Sequence, residues 1–402
     1  MRGSRGIDKG SSFVSGDAVS SVRLASNGEG TPHIAHVAKY YPPYWGGIPR
    51  YIQLLSQELK KHCRVTVLVA NTGWRRTEER DGNLRVIRVP RLIELRSTAL
   101  CPTLPWELRR LHADIVHLHF PDPMAHLAFW LARPPGKLVV SWHGDITRQS
   151  ILLRFYRGPL SSVLRRANAI VVGAPTFRDG STLLGASRER CAVIPYGIDL
   201  DQFELTQGVQ TRVLDLRQRY GDRGILFVGR LVHYKGLEFL LQAMQGLNAR
   251  LFVVGSGYLD TRLRHQAIEL GIQGKVEFLG EASQEELVAH LHACSMLVLP
   301  SVNRSESFGI VQLEAMACRK PVVSTNIPTG VPWVNQHGRT GLVVPPRDPD
   351  ALRSAIRQLL DDPSLRQNLG EAGRKRVESQ FTLEQHVRQI LNVYATVLAQ
   401  GN

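Results

Sequence analysis

Two successive open α/β domains, each a doubly wound, mostly parallel sheet, are predicted for this 402-residue chain on three observations. Short apolar runs alternate with amphipathic stretches from about residue 32 onward, the pattern of βαβ units. The alternation breaks near residues 196–206, where Gly197, Asp199 and Asp201 interrupt the apolar pattern, and then restarts. The chain is also long enough to bury two cores.

In order, the first domain offers strands at Ile34–Tyr40, Val65–Ala70, Asp114–His119, Lys137–His143 and Ala169–Ala174, with a helix at Ile48–Lys61. The second offers strands at Ile225–Gly229, Arg250–Gly255, Lys275–Gly280, Met296–Pro300, Pro321–Thr325 and Gly341–Pro345. Residues 1–30, rich in Ser and Gly, read as a flexible leader without a signal-peptide core. The expected division is 31–200 for the first domain, 201–380 for the second, and a final stretch 381–402 carrying a last helix. No apolar run reaches the eighteen or so residues that a membrane-spanning helix needs. Cys63, Cys101, Cys191, Cys294 and Cys318 are scattered, without zinc-finger spacing or a disulfide framework, and fit buried thiols in a reducing compartment.

Charge is uneven. Residues 1–200 hold 28 Lys and Arg against 15 Asp and Glu, whereas the remainder holds 22 against 20. The first domain is therefore expected to face an anionic partner, a membrane or a nucleic acid. Neither a helix-turn-helix nor a zinc or RNP signature is present, so no nucleic-acid partner is expected. Two stretches, Arg91–His112 and Arg148–Ala167, mix Arg with large apolar residues as membrane-surface segments do.

Two motifs carry the chemistry. In Ile225–Leu240, a strand runs into Gly229-Arg230, and Lys235 follows at GR-x4-K spacing. Both cations fall at the carboxyl end of a strand, where open α/β sheets bind ligands. Together they can neutralise a diphosphate without a metal. In Leu297–Arg319, a strand and a polar loop lead into a helix expected from Phe308, with Glu306 in the loop and Glu314 on the second turn. A glycine-bearing turn at a helix N-terminus suits an anion, through amides near Phe308 and Gly309. The two carboxylates suit hydroxyls flanking it, on a ribose and on a transferred sugar. Gly46 and Gly47, between the first strand and first helix, let backbone approach a ligand closely.

GR-x4-K followed by E-x7-E resembles the family 4 glycosyltransferases, retaining sugar-nucleotide enzymes of the two-domain GT-B architecture. The stretches Tyr41–Leu59, Val139–Gln149, Val193–Phe203 and Thr329–Leu352 resemble the same family, so the likeness covers roughly residues 31–400. It implies that His143 lies beside the transferred sugar and that the last helix returns to the first domain. It also implies donor binding by Gly46, Gly47, Arg230, Lys235, Glu306, Phe308, Gly309 and Glu314, with Glu314 on the ribose and Glu306 on the sugar. Asp145 would orient His143 or contact the acceptor. The implied catalytic set is His143, Glu306, Arg230 and Lys235, with no metal and no cofactor beyond the nucleotide-sugar co-substrate.

Retention is implied by the resemblance; with no carboxylate clearly placed as a nucleophile, front-face attack with the leaving diphosphate as base is the expected course. Similarity of Trp142–Arg148 and Thr329–Gly338 to bacterial mannosyltransferases points to GDP-mannose ahead of a UDP-sugar. The acceptor would be a lipid-linked or other glycan of surface polysaccharide assembly, met at the cytoplasmic face of an anionic membrane. A sugar-nucleotide epimerase of the same architecture and a basic nucleic-acid-binding protein are the alternatives.

Overall fold

The computed structural model describes residues 30–400 except 45, 96–97 and 146–149, so the expected leader lies almost wholly outside the described residues. The first sheet is built from β1 (His33–Val37), β2 (Arg64–Ala70), β3 (Thr77–Asp81) and β4 (Leu84–Val89), continued by β7 (Ile115–Phe120), β8 (Lys137–Trp142), β9 (Ala169–Val172) and β10 (Cys191–Val193). Between them β5 (Ile93–Leu95) and β6 (Thr98–Leu100) form a separate hairpin. The second sheet holds β11 (Gly224–Val228), β12 (Arg250–Val254), β13 (Val276–Gly280), β14 (Met296–Leu299), β15 (Val322–Thr325) and β16 (Gly341–Val344). The helices of the first domain are α1 (Gly47–Leu59), α2 (Leu104–Arg110), α3 (Pro123–Ala132), α4 (Ser150–Arg166) and α5 (Pro175–Gly180). Then come α6 (Gln207–Tyr220), α7 (Leu237–Ala243), α8 (Asp260–Glu269), α9 (Gln284–Ala293), α10 (Val311–Ala317) and α11 (Val331–Val334). The chain closes with α12 (Pro349–Asp361), α13 (Pro363–Gln380) and α14 (Leu383–Ala399).

The strand orders are β10-β9-β8-β7-β1-β2-β4-β3 and β13-β12-β11-β14-β15-β16. Setting aside the outer strands β3 and β10, both read third, second, first, fourth, fifth, sixth, the Rossmann order, with switch points between β1 and β7 and between β11 and β14. Every residue of β7, β9, β11 and β14 is buried, as strands covered by helices on both faces must be. The β3–β4 hairpin was not expected. Its antiparallel edge strand, TEERD, is almost all charge, which gives no apolar signal but blunts the sheet edge. Glu78 there takes a two-pronged Arg85 fork at 2.7 Å.

Two passes of the chain join the domains. The Ile198 amide donates to the Phe381 carbonyl at 2.9 Å, and the Leu383 amide to the Ile198 carbonyl at 2.8 Å. A Cβ on Gly197 would sit 2.3 Å from the Thr382 carbonyl oxygen, so only glycine permits this crossing. Helix α14, opened by a Thr382/Gln385 capping box, then lies on α1 of the first domain.

Candidate active site

The second domain presents its groups at the carboxyl ends of β11 and β14, on either side of the switch point. Gly229 ends β11 at φ +156°, and Arg230 beside it is exposed. Lys235 turns back toward this glycine, where an added Cβ would lie 3.1 Å from its Cε. Its ammonium pairs with Glu306 at 2.5 Å, both side chains being nearly buried. Burial works against the Lys235 charge, but the Glu306 carboxylate outweighs it and the pKa is raised. Ser301 Oγ donates to the same carboxylate at 3.0 Å. Gly255 and Gly257 hold the β11 loop from behind. A Cβ on Gly255 would lie 2.1 Å from the Gly229 carbonyl oxygen, and one on Gly257 2.4 Å from that of Leu231. The G-S-G sequence after β12 thus serves close backbone packing.

The helix expected from Phe308 begins at Val311, which puts Glu314 in the first turn of a short α10. Gly309, at φ +71°, turns the chain into it. The Phe308 carbonyl accepts from Gln312 Nε2 at 2.9 Å. The amides of Phe308 and Gly309 have no acceptor among the described residues and remain donors in the loop. The Phe308 ring points away into the domain junction, 4.9 Å from Tyr196 and 6.1 Å from Phe381 between centroids. Burial raises the Glu314 pKa against the pull of Arg50 and Lys235.

The first domain contributes across the cleft. Gly46, at φ +147°, caps α1, and Gly47 has open space where a Cβ would go. Arg50, in the first turn of α1, reaches the second domain. Its Nη2 donates to Gln202 at 3.0 Å and Gln284 at 2.7 Å, and its Nη1 stands 4.0 Å from Glu314. Arg50 was not foreseen; its only sequence signal is its place one turn after a glycine pair.

His143 follows β8, buried, and neither ring nitrogen is vacant. Nε2 is 2.8 Å from His119 Nδ1, and Nδ1 is hydrogen-bonded to the Tyr196 hydroxyl. Burial, with His386 nearby, lowers its pKa to about 3, so the ring is neutral. Asp145 does not orient it. The Asp145 carboxylate accepts from Trp142 Nε1 at 3.0 Å and Ser181 Oγ at 2.7 Å, and pairs with Arg304 of the second domain at 3.1 Å. That makes Asp145 an interdomain latch residue, and Arg304 a second group that the sequence reading missed.

A cluster of buried histidines was not foreseen. His36, His117 and His119 place ring nitrogens within 4.8 Å of one another in the first-domain core. The signal was available: H-x-H in β7 puts His117 and His119 on one face, and register pairs His36 with His117. Two Asp-x-Asp triplets, Asp199–Asp201 and Asp348–Asp350, have a spacing suited to gripping a divalent cation. In both, however, the first aspartate is a helix cap, accepting from the Asp201 and Ala351 amides respectively.

This cleft lies between two Rossmann-like domains, with cations and carboxylates on one wall and a glycine loop and histidine on the other. Known proteins share the two-domain fold. A family model described as Glycosyltransferase Family 4 matches residues 45–202, and one described as Glycosyl transferases group 1 matches residues 215–376. The O-antigen chain mannosyltransferase C of Escherichia coli is 32% identical over 379 residues, covering 91% of this chain and 98% of its own. A D-rhamnosyltransferase of Pseudomonas aeruginosa, WbpZ, is 38% identical over 292 residues, 72% of this chain and 76% of its own. A GDP-mannose-dependent phosphatidylinositol monomannoside mannosyltransferase of Mycolicibacterium smegmatis is 33% identical over 368 residues, 84% and 92%. Among solved structures, sucrose-phosphate synthase from Thermosynechococcus elongatus superposes with a TM-score of 0.77 at 24% identity, covering 92% of this chain and 99% of its own. Anabaena HepE with UDP and glucose gives 0.73 at 19%, covering 91% and 100%. In sequence and in fold, the chain belongs to the family 4, group 1 glycosyltransferases of GT-B architecture.

Proposed function

We propose that the protein is a metal-independent, retaining hexosyltransferase that moves mannose from GDP-mannose to a lipid-linked or other glycan acceptor in surface polysaccharide assembly. The observation that carries this reading is the pairing of Lys235 with Glu306 beside exposed Arg230. A diphosphate arriving here meets two cations and the Phe308 and Gly309 amides. The negative charge that grows on the leaving group is thereby stabilised beside the nearly buried Lys235–Glu306 pair. Glu306, released from part of its hold on Lys235, is then an acceptor for a sugar hydroxyl, and Glu314, facing Arg50, for the ribose. GDP-mannose is supported by relatives whose names specify mannosyl transfer, one of them GDP-mannose-dependent. The D-rhamnosyl relative favours a second donor sugar, the 6-deoxy form of mannose.

The membrane reading rests on one of its two stretches. Helix α2 packs on α3, and α3 on β6. This face exposes Leu100, Trp106, Leu127, Trp130 and Leu131, with Arg110 stacked 3.1 Å over the Trp106 ring. Residues 148–149 of the other stretch lie outside the described residues, and its Leu160, Val163 and Leu164 are buried inward. No helix among the described residues is long and apolar enough to cross a membrane.

The test is an EDTA-treated thermal-shift and transfer screen with GDP-mannose, UDP-glucose and UDP-GlcNAc, with the anomeric configuration of product read by NMR. Selective stabilisation by GDP-mannose and an α-linked product are expected. Stabilisation by a UDP-sugar alone, dependence on added metal, or an inverted product would each overturn its part of the proposal. Epimerisation of the sugar nucleotide without an acceptor would favour the epimerase reading instead.

A further inference from the structure

The histidine beside the cleft is the end of a longer buried chain. His36 (β1), His117 and His119 (β7), Ser141 (β8) and His143 line one face of the first sheet beneath Tyr51 of α1 and His386 and Tyr394 of α14. A chain of hydrogen bonds runs through them. Ser141 Oγ to His117 Nε2 is 2.7 Å, His117 Nδ1 to Tyr394 Oη 2.6 Å, and Tyr394 Oη to His36 Nε2 3.4 Å. His36 Nδ1 to His119 Nε2 is 3.0 Å, and His119 Nδ1 to His143 Nε2 2.8 Å, ending at the Tyr196 hydroxyl.

A neutral imidazole has one donor and one acceptor nitrogen, and a hydroxyl has one hydrogen. A hydroxyl can also accept twice, but the buried Tyr394 hydrogen would then lack an acceptor within the chain; with every hydrogen paired, all the bonds point the same way and the chain has two arrangements. An anchor selects between them. The Pro195 carbonyl accepts only, so His386 carries its hydrogen on Nδ1, 2.6 Å away, and its Nε2 accepts from Tyr51 at 3.0 Å. Tyr51 has then used its hydrogen, so toward Ser141, the hydroxyl that stabilises its oxygen, it can only accept. Ser141 donates there and accepts from His117 Nε2. Followed onward, the order makes His119 accept at Nδ1 from His143 Nε2–H, and leaves His143 Nδ1 as an acceptor on the Tyr196 side.

We propose that this ladder, anchored at the Pro195 carbonyl, fixes His143 as the Nε2–H tautomer with an acceptor Nδ1, making His36, His117 and His119 positioning residues for sugar transfer. The positioning role rests on the proposed place of His143 beside the transferred sugar. A metal at His36, His117 and His119 fits the geometry less well. All their ring nitrogens are already hydrogen-bonded, and His119 stacks on His117 at 18° and on His36 at 22°, so lone pairs do not converge. The surroundings keep the ladder uncharged. Desolvation lowers His36 and His143 to about 3, and His117 and His119 well below the usual range. Among the described residues, the titratable groups facing it are Tyr51, Tyr196, His386, Tyr394 and Cys63, and no carboxylate or cation acts on its four histidines.

Histidine-selective 15N labelling of the full chain, with long-range 1H–15N correlations, reads the tautomer directly; His143 is assigned by its loss in His143→Gln. The expected result is Nε2–H at His143 from about pH 8 to 5.5. In Tyr394→Phe, which removes one hydroxyl and little volume, both tautomers should be populated. With GDP-mannose as probe donor, that variant should keep KM, lose kcat by about tenfold and gain an acid limb absent from the parent. An Nδ1–H tautomer, a Tyr394→Phe spectrum unchanged at His143, or zinc titration shifting His36, His117 and His119 together would overturn the ladder. The spectra need no donor, so they stand apart from the transferase reading. An intact ladder with GDP-mannose turnover unchanged in His143→Ala would overturn only the positioning role.

Discussion

Acidification tests the neutral histidine core through stability. His36, His126 and His143 are held to about 3 by burial, and His386 to about 4 by burial against the Pro195 carbonyl. Unfolded histidines titrate near 6.5, so below that pH the unfolded chain binds protons that the folded one refuses. Stability is therefore full above about pH 6.5 and falls as pH drops toward the folded-state values. At pH 5.5, one unit below, each histidine costs about 1.4 kcal/mol, or about 5–6 kcal/mol for the four. Asp122 opposes this. Burial raises its carboxyl to about 6, which returns about 0.7 kcal/mol at the same pH. The remaining loss from these groups, about 5 kcal/mol before the added share of His117 and His119, which burial also holds well below the usual range, is comparable with the whole stability of an ordinary domain. It corresponds to a fall in Tm of about 10–20 °C between pH 7.5 and 5.5. By pH 4.5 the loss grows to about 9 kcal/mol and the first domain should unfold. Thermal scans at constant ionic strength, followed by tryptophan fluorescence and near-UV dichroism, measure it. Trp142, stacked on Phe120 at 3.6 Å in the same domain, is a suitable reporter. A Tm drop under about 3 °C at pH 5.5 would refute the reasoning, because charged or solvated histidines would not couple folding to pH in this way.

Three further outcomes are expected. Lys235→Ala strands the Glu306 carboxylate in a buried site and should cost about 3 kcal/mol while removing the thermal shift given by GDP-mannose; denaturant titration and thermal shift read the two effects. Gly255→Ala pushes a methyl into the Gly229 carbonyl 2.1 Å away, so donor affinity by calorimetry should weaken at least about tenfold although the second domain stays folded. Arg304→Ala breaks the latch to Asp145, worth about 1 kcal/mol at its partly exposed position. Small-angle scattering should then show a larger radius of gyration in the unliganded protein, with unfolding of either domain unchanged.

Much of this was legible from one-dimensional pattern. Continuous apolar runs such as Ile225–Val228 and Met296–Leu299 mark strands because both faces of a covered parallel sheet must be apolar. The glycines at 229 and 309 and the cations and carboxylates next to them were visible because short motifs at strand ends fall inside one βα unit. The TEERD edge strand was not legible, since an exposed antiparallel edge has no apolar period to detect. The start of α10 was placed three residues early because Phe308 counts as a helical apolar position although its ring belongs to the interdomain cluster.

Amino-acid order alone was enough for the two Rossmann-like domains, the family, and the set of charged groups at the carboxyl ends of β11 and β14, because each depends on neighbours within a few residues. Pairings across long separations depended on the folded chain. Arg50 meets Gln284 and Glu314, Asp145 meets Arg304, and Tyr394 meets His117. In each case the partners are brought together by sheet register, by the double crossing at Gly197 and Thr382, and by the return of α14 to α1. A side chain's partner at that range is set by where the backbone goes, and the state of His143 is set by partners of that kind.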